Sequence, residues 1–192
     1  DRLLLAPGST PFIPPIPGND LPGVLAYRDI ADTEAMIEAA GKYRHAVVIG
    51  AGLLGLEAAN GLMLRGMDVT VVHIGEWIME RQLDKAAADM LQASLEAKGM
   101  KFLLARHTEA LLPARNAQGD MAERVGAVRF KDGMEIPADL VVVAAGIRPN
   151  YALAESAGLY CGGGRVRGIH VSDTLQTVTD PRIYAVGECV AH

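Results

Sequence analysis

The sequence predicts an α/β fold built as a doubly wound, mainly parallel sheet, and three features predict it. Two short apolar runs, His45–Ile49 and Asp68–Val72, bracket a segment whose small residues recur at helical spacing. A glycine turn, Gly50 to Gly55, lies where the first run gives way to that segment. A second helical stretch and a third apolar run, Lys101–Leu104, then complete the order strand, helix, strand, helix, strand. That order is the signature of parallel strands joined by crossover helices.

Taken in order, Pro7 to Gly23 holds six of the ten prolines and reads as an extended connector. Asp32 offers an N-cap for a helix through Ala40, with Gly41 as its stop. His45–Ile49 is a buried strand, and a helix runs from the glycine turn to about Arg65 with Gly55, Ala58, Ala59 and Leu62 on one stripe. Asp68–Val72 is β-branched at four of five positions. Asp84 caps the next helix, whose buried stripe is Ala87, Met90, Leu91, Ser94 and Leu95 and whose end is Gly99. From Thr108 to Pro137, turn signals at Asn116–Gly119 and Asp132–Gly133 predict a small antiparallel β-meander. Leu140–Ala144 returns as a fully buried strand.

One internal repeat organises the chain. Leu3-Leu4-Leu5-Ala6-Pro7-Gly8-Ser9-Thr10-Pro11 aligns with Val141-Val142-Val143-Ala144-Ala145-Gly146-Ile147-Arg148-Pro149. Each reads as a buried strand that ends sharply before the chain leaves its sheet. The unit between them is therefore expected to be inserted into a host domain: residues 1–24 end the host's first part, 25–148 form the inserted domain, and 149–192 begin the host's return. The chain opens at Asp1 and stops at His192 beside a strand-like run, so it is expected to be a segment of a longer protein.

Composition narrows the classes of function. Half the residues are hydrophobic and the net charge is −5, with basic residues scattered rather than clustered, which argues against a nucleic-acid partner. The longest apolar run, Leu140 to Ile147, is far short of the roughly 18 residues of a membrane span. A cytoplasmic location is expected. Cys161 and Cys189 form no CxxC pair and read as reduced thiols, and His45, His107 and His170 are isolated and read as structural, so no metal site is expected.

Gly50-Ala51-Gly52-Leu53-Leu54-Gly55 satisfies GxGxxG in the context that gives the motif meaning. Gly50 permits a tight turn, Gly52 lets a pyrophosphate approach the backbone, and Gly55 lets the helix press on the strand while its N-terminal amides face the phosphate. The unit is thus Rossmann-like, and its expected ligand is a dinucleotide. At the end of the second strand, where an acid normally holds the adenosine ribose of NAD, stands His73. An acid would repel the 2′-phosphate of NADP; histidine does not, and Arg81 could neutralise one. Both NADH and NADPH therefore stay open. Glu57, early in the helix, is favoured there by the helix dipole.

With these motifs in hand, the chain resembles the central part of the pyridine nucleotide–disulfide oxidoreductase superfamily, in which an NAD(P) domain is inserted into an FAD domain. Leu5-Ala6-Pro7-Gly8-Ser9 and Ala144-Ala145-Gly146-Ile147-Arg148-Pro149 resemble its two strand-crossing motifs. Thr179-Asp180-Pro181-Arg182-Ile183-Tyr184-Ala185-Val186-Gly187-Glu188-Cys189 resembles its second FAD motif. Gly52 to Ala59, Met79 to Asp84 and Gly187 to Cys189 are together most similar to the large subunits of NAD(P)H-dependent nitrite reductases. The resemblance implies hydride transfer from NAD(P)H to FAD, with siroheme and an iron–sulfur cluster in regions outside this chain. It implies Glu57 near nicotinamide and flavin, and Gly146, Gly187 and Glu188 on the flavin side. Pro7 replaces a threonine, Glu188 an aspartate and His73 an acid of the usual pattern. The partners implied are the dinucleotide and the rest of a parent enzyme, with a homodimer allowed. The 192 residues alone are expected to be inactive and not to retain FAD, because they hold a single GxGxxG. The rival readings are a rubredoxin or ferredoxin reductase, which shares these motifs, and a dinucleotide-binding sensor without turnover.

Overall fold

The computed structural model describes residues 1–115, 121–162 and 167–191. In chain order its elements are β1 (Leu3–Leu5), β2 (Ser9–Pro11), β3 (Val24–Ala26), α1 (Ile30–Ala40), β4 (His45–Ile49), α2 (Leu53–Leu64), β5 (Asp68–Val72) and α3 (Lys85–Glu96). There follow β6 (Lys101–Leu103), β7 (Thr108–Arg115), β8 (Met121–Phe130), β9 (Glu135–Pro137) and β10 (Leu140–Val143). Last come β11 (Ile147–Pro149), α4 (Ala152–Ser156), β12 (Ile169–His170), β13 (Ile183–Ala185) and β14 (Val190–Ala191). Two compact units result: Phe12–Gly146, and Asp1–Pro11 with Ile147–His192.

The unit Phe12–Gly146 is built on a five-stranded parallel sheet in the order β3-β10-β4-β5-β6. Alternation along each strand sorts its side chains to two faces, as the period of 2 requires. Ala46, Val48, Val69, Val71, Leu140 and Val142 join the core beneath α1, α2 and α3. Val47, Ile49, Val72, Val141 and Val143 join a second core against Leu111, Val125, Val128 and Phe130 of the antiparallel meander β7-β8-β9. Helices close one face and the meander closes the other. The Asp132–Gly133 turn is present, with Gly133 at φ +83 and its N–H donating to Phe130 O at 2.9 Å. The expected turn at 116–119 lies outside the described residues.

Three local expectations are corrected. The N-cap of α1 is Asp29, not Asp32: Asp29 has extended backbone and accepts from the Asp32 amide, while the Asp32 carboxylate reaches back to the Asp29 amide. Asp32 thus completes a capping box three residues inside the helix. On α3, capped by Asp84 as expected, the buried stripe runs through Ala88, Leu91 and Leu95, whereas Met90 is 77% exposed and Ser94 is exposed. Ala88 is buried in the core with Leu91 and Leu95 packed against the same cluster, so the inward stripe lies one residue from the expected one. Leu3 and Leu4 are exposed rather than buried, since β1 pairs with β13 alone among the described strands.

The second unit pairs β1 with β13 in parallel and β2 with β11 antiparallel, Ser9 opposite Pro149 and Pro11 opposite Ile147. The two halves of the internal repeat therefore pair through their Pro-containing ends. Ala154, Leu159, Cys161, Ile169, Val171, Ala185 and Cys189 form its core, with both cysteines free and buried.

Candidate functional site

The carboxyl ends of β4 and β10 are where the sheet's winding reverses, since β5 lies on one side of β4 and the late strand β10 on the other. Ligands of open α/β sheets bind outside such a switch point. The glycine turn stands there. Gly50 has φ +116, and a Cβ on it would overlap the carbonyl oxygen of Ala144, the residue that leaves β10. Gly55 is buried, and a Cβ on it would overlap the carbonyl oxygen of Gly50, so the helix sits as close to the turn as backbone allows.

Gly52 behaves differently. It is the N-cap of α2, extended at φ −80 and ψ −177, makes no side-chain cap, and a Cβ on it would meet nothing within 4 Å. The amides of Leu53, Leu54 and Gly55 have no acceptor among the described residues. A helix start without a cap leaves its first N–H groups and the positive end of its dipole free for an anion. Open space over free amides fits a phosphate group.

Glu57 lies one turn into α2, exposed on the side that also carries Leu53 and Leu54, and has no hydrogen bond or ion pair among the described residues. Arg81 is likewise exposed.

His73 follows β5 and turns back on the glycine turn. Its Nδ1 accepts from the Ala51 amide at 3.4 Å, and its Nε2 lies 3.8 Å from Oε1 of Glu80. The imidazole is only 14% exposed, and Nε2 is buried with no hydrogen-bond partner among the described residues. Burial pushes the His73 pKa below its ordinary value, and the Glu80 carboxylate opposes that only in part. With Nδ1 accepting, the proton of the neutral ring belongs on Nε2, facing Glu80. The loop that carries Glu80 is pinned to the same place: Met79, at φ +54, donates its N–H to Ala51 O at 2.9 Å, and Ile78 is completely buried. Glu80 is the residue that sequence reasoning missed. It appeared there only within the Met79-to-Asp84 motif, with no role attached.

Gly146, the last residue of this unit, has φ +118 and accepts from the Phe12 amide at 2.9 Å. In the other unit, Gly187 has φ +85 after β13, and Glu188 accepts a 2.7 Å hydrogen bond from the buried Ser9 hydroxyl. His170 stacks beside Tyr160 with ring centroids 4.8 Å apart, and His45 lies near Asp68. Among the described residues no group of three His, Cys, Asp or Glu converges as a metal site, and no helix is long and apolar enough to cross a membrane.

Against known proteins, the model of a family described as pyridine nucleotide-disulphide oxidoreductase matches residues 1–192. A nitrite reductase [NAD(P)H] of Bacillus subtilis (strain 168) is 53% identical over 192 residues, all of this chain and 22% of its own length. An assimilatory nitrate reductase electron transfer subunit of the same organism is 48% identical over all of this chain and 23% of its own. The chain thus spans less than a quarter of the length of these relatives. A NAD-dependent persulfide reductase from A. fulgidus superposes with a TM-score of 0.88 at 36% identity, covering 99% of this chain and 33% of that one.

Proposed function

Because the chain belongs to the pyridine nucleotide-disulphide oxidoreductase family, we propose that it is the NAD(P)H-binding module of an FAD-dependent oxidoreductase that feeds electrons to nitrite reduction. The observation that carries the reading is the uncapped start of α2, where Gly52 leaves open space over free amides. Gly50, Ala51, Gly52, Leu53, Leu54 and Gly55 would hold the pyrophosphate, and His73 and Arg81 would flank the adenosine ribose. Bound together, NAD(P)H would supply a hydride and FAD would accept it. Glu57 is the proposed catalytic residue: an exposed carboxylate, unpaired among the described residues and one turn beyond the phosphate amides, able to accept a hydrogen bond from the nicotinamide carboxamide and so orient the ring. On the flavin side, Gly146 and Gly187 would give the backbone its close turns, and the Ser9 hydroxyl would fix the Glu188 carboxylate.

Nitrite is the acceptor favoured by the 53% identical relative, and a separate acceptor protein is the reading favoured by the 48% identical electron transfer subunit. The test is anaerobic mixing of the full-length parent enzyme with NADH and with NADPH while flavin absorbance is followed. Bleaching is expected, and Glu57→Gln should slow it about tenfold or more, the worth of one charge-assisted hydrogen bond. A flavin left oxidised by both dinucleotides would overturn the reading; bleaching at an unchanged rate in the variant would remove Glu57 from it.

A further inference from the structure

We propose that Glu80 supplies the carboxylate that recognises the adenosine ribose, so that the site prefers NADH to NADPH although its strand end carries a histidine. The inference rests on the dinucleotide reading above and names the determinant which that reading leaves open.

His73 would flank the ribose, but neither of its ring nitrogens is left to hydrogen-bond it. Its Nδ1 is taken by the Ala51 amide and its Nε2 is buried facing Glu80. The ring acts as a spacer between the glycine turn and the carboxylate. Glu80, seven residues along, is 41% exposed and so retains a solvent-facing side. Three restraints return it to the strand end. Met79 N–H is bonded to Ala51 O, Met79 takes a positive φ, and Ile78 is sunk in the core beneath. Position 75 is glycine, and a Cβ there would overlap Oε2 of Glu80 and come within 2.8 Å of His73 Nε2. The carboxylate occupies space that any larger residue at 75 would take.

A carboxylate at the end of the second strand accepts hydrogen bonds from a vicinal diol and repels a phosphomonoester. The neighbouring cations do not cancel it equally. Arg106 leaves the sheet beside His73, its N–H bonded to His73 O, but its guanidinium is paired with Asp132. Arg81, exposed and next in sequence to Glu80, is a cation that could favour a 2′-phosphate.

The test is calorimetric titration of the whole 192-residue chain with NADH and with NADPH. The original chain should bind NADH about tenfold or more tighter, as like-charge repulsion at a few ångströms implies. Glu80→Gln should weaken NADH, relieve NADPH and bring the two within about threefold. Gly75→Ala, which keeps every charge but displaces the carboxylate, should narrow the ratio in the same direction. Equal or tighter NADPH binding by the original chain would overturn the proposal. So would a Glu80→Gln chain that loses both dinucleotides by the same factor, or a Gly75→Ala chain with the original ratio. A folded chain that binds neither dinucleotide would instead overturn the dinucleotide reading.

Discussion

Replacing Gly52 with valine separates ligand binding from folding more cleanly than any other change in the glycine turn. The backbone of Gly52 is extended, at φ −80 and ψ −177, a conformation that a β-branched residue adopts readily, and its Cβ would meet nothing within 4 Å. Losing glycine as an N-cap costs about 0.5–1 kcal/mol, and the smaller entropy of the unfolded chain returns about 0.4–1 kcal/mol. The fold should change by less than about 1 kcal/mol, a shift in Tm of about 2–4 °C at most for a chain of this size. The ligand faces a different balance. Branched methyl groups would stand beside the amides of Leu53 and Leu54, two of the donors with no acceptor among the described residues. Two charge-assisted hydrogen bonds at about 1.5–3 kcal/mol each correspond to a loss of about 10²–10⁴ in affinity. Calorimetry with NADH, run beside circular dichroism melts, reads both quantities. A folded valine variant with unchanged Kd would refute the reasoning, since it would place the phosphate away from these amides.

Gly50→Ala should act on the fold instead. A Cβ at φ +116 is strained and overlaps Ala144 O, so about 3 kcal/mol and a fall in Tm of about 6–12 °C are expected; a melt within about 2 °C of the original would argue against that packing. His73 should make stability depend on pH. Its folded pKa lies below the ordinary 6.5, so as pH falls through that value the unfolded chain takes up a proton that the folded chain resists. The stability His73 contributes is then fully present above about 6.5 and lost as pH drops toward the folded value. Melts from pH 8 to 5 should show that decline, and His73→Gln should flatten its own part of it; an identical slope in the variant would show that His73 is not the group concerned.

The elements read most accurately from sequence are those whose residues satisfy only one environment. His45–Ile49 and Asp68–Val72 are found at those bounds because continuous β-branched and aliphatic residues suit strands buried on both faces. Asp84 was legible as a cap because nothing nearby competes for the role. Where two residues compete, sequence falls short. Asp29 and Asp32 are both able to cap α1, and the outcome turns on which of them keeps extended backbone. Ile30, between them, is an exposed apolar residue in the first turn and lends no help in choosing. On α3, helical spacing put Met90 on the inward stripe, yet Met90 is exposed and the adjacent register, with Ala88, is the one buried. Hydrophobicity ranks the transfer of a side chain from water, and on a helix with apolar residues at adjacent registers it leaves two neighbouring stripes to choose between.

The same division runs through the site. Each glycine in the turn answers a local question, a positive φ at 50 or a close approach at 55, and such questions are visible in the sequence. The arrangement of His73, Glu80 and Ala51 closes a loop of chain whose register depends on Met79 adopting φ +54, and nothing in a methionine announces that. The available signal was Ile78. Between Glu76 and Glu80, in a segment of mixed character, stands one aliphatic residue that the fold buries completely. Sinking Ile78 beneath the strand ends fixes its successors: Met79 must turn, its amide meets Ala51, and the next side chain, Glu80, is delivered to His73. An apolar residue with no ligand contact of its own thus sets where the acid stands, and with it the dinucleotide that the site is expected to prefer.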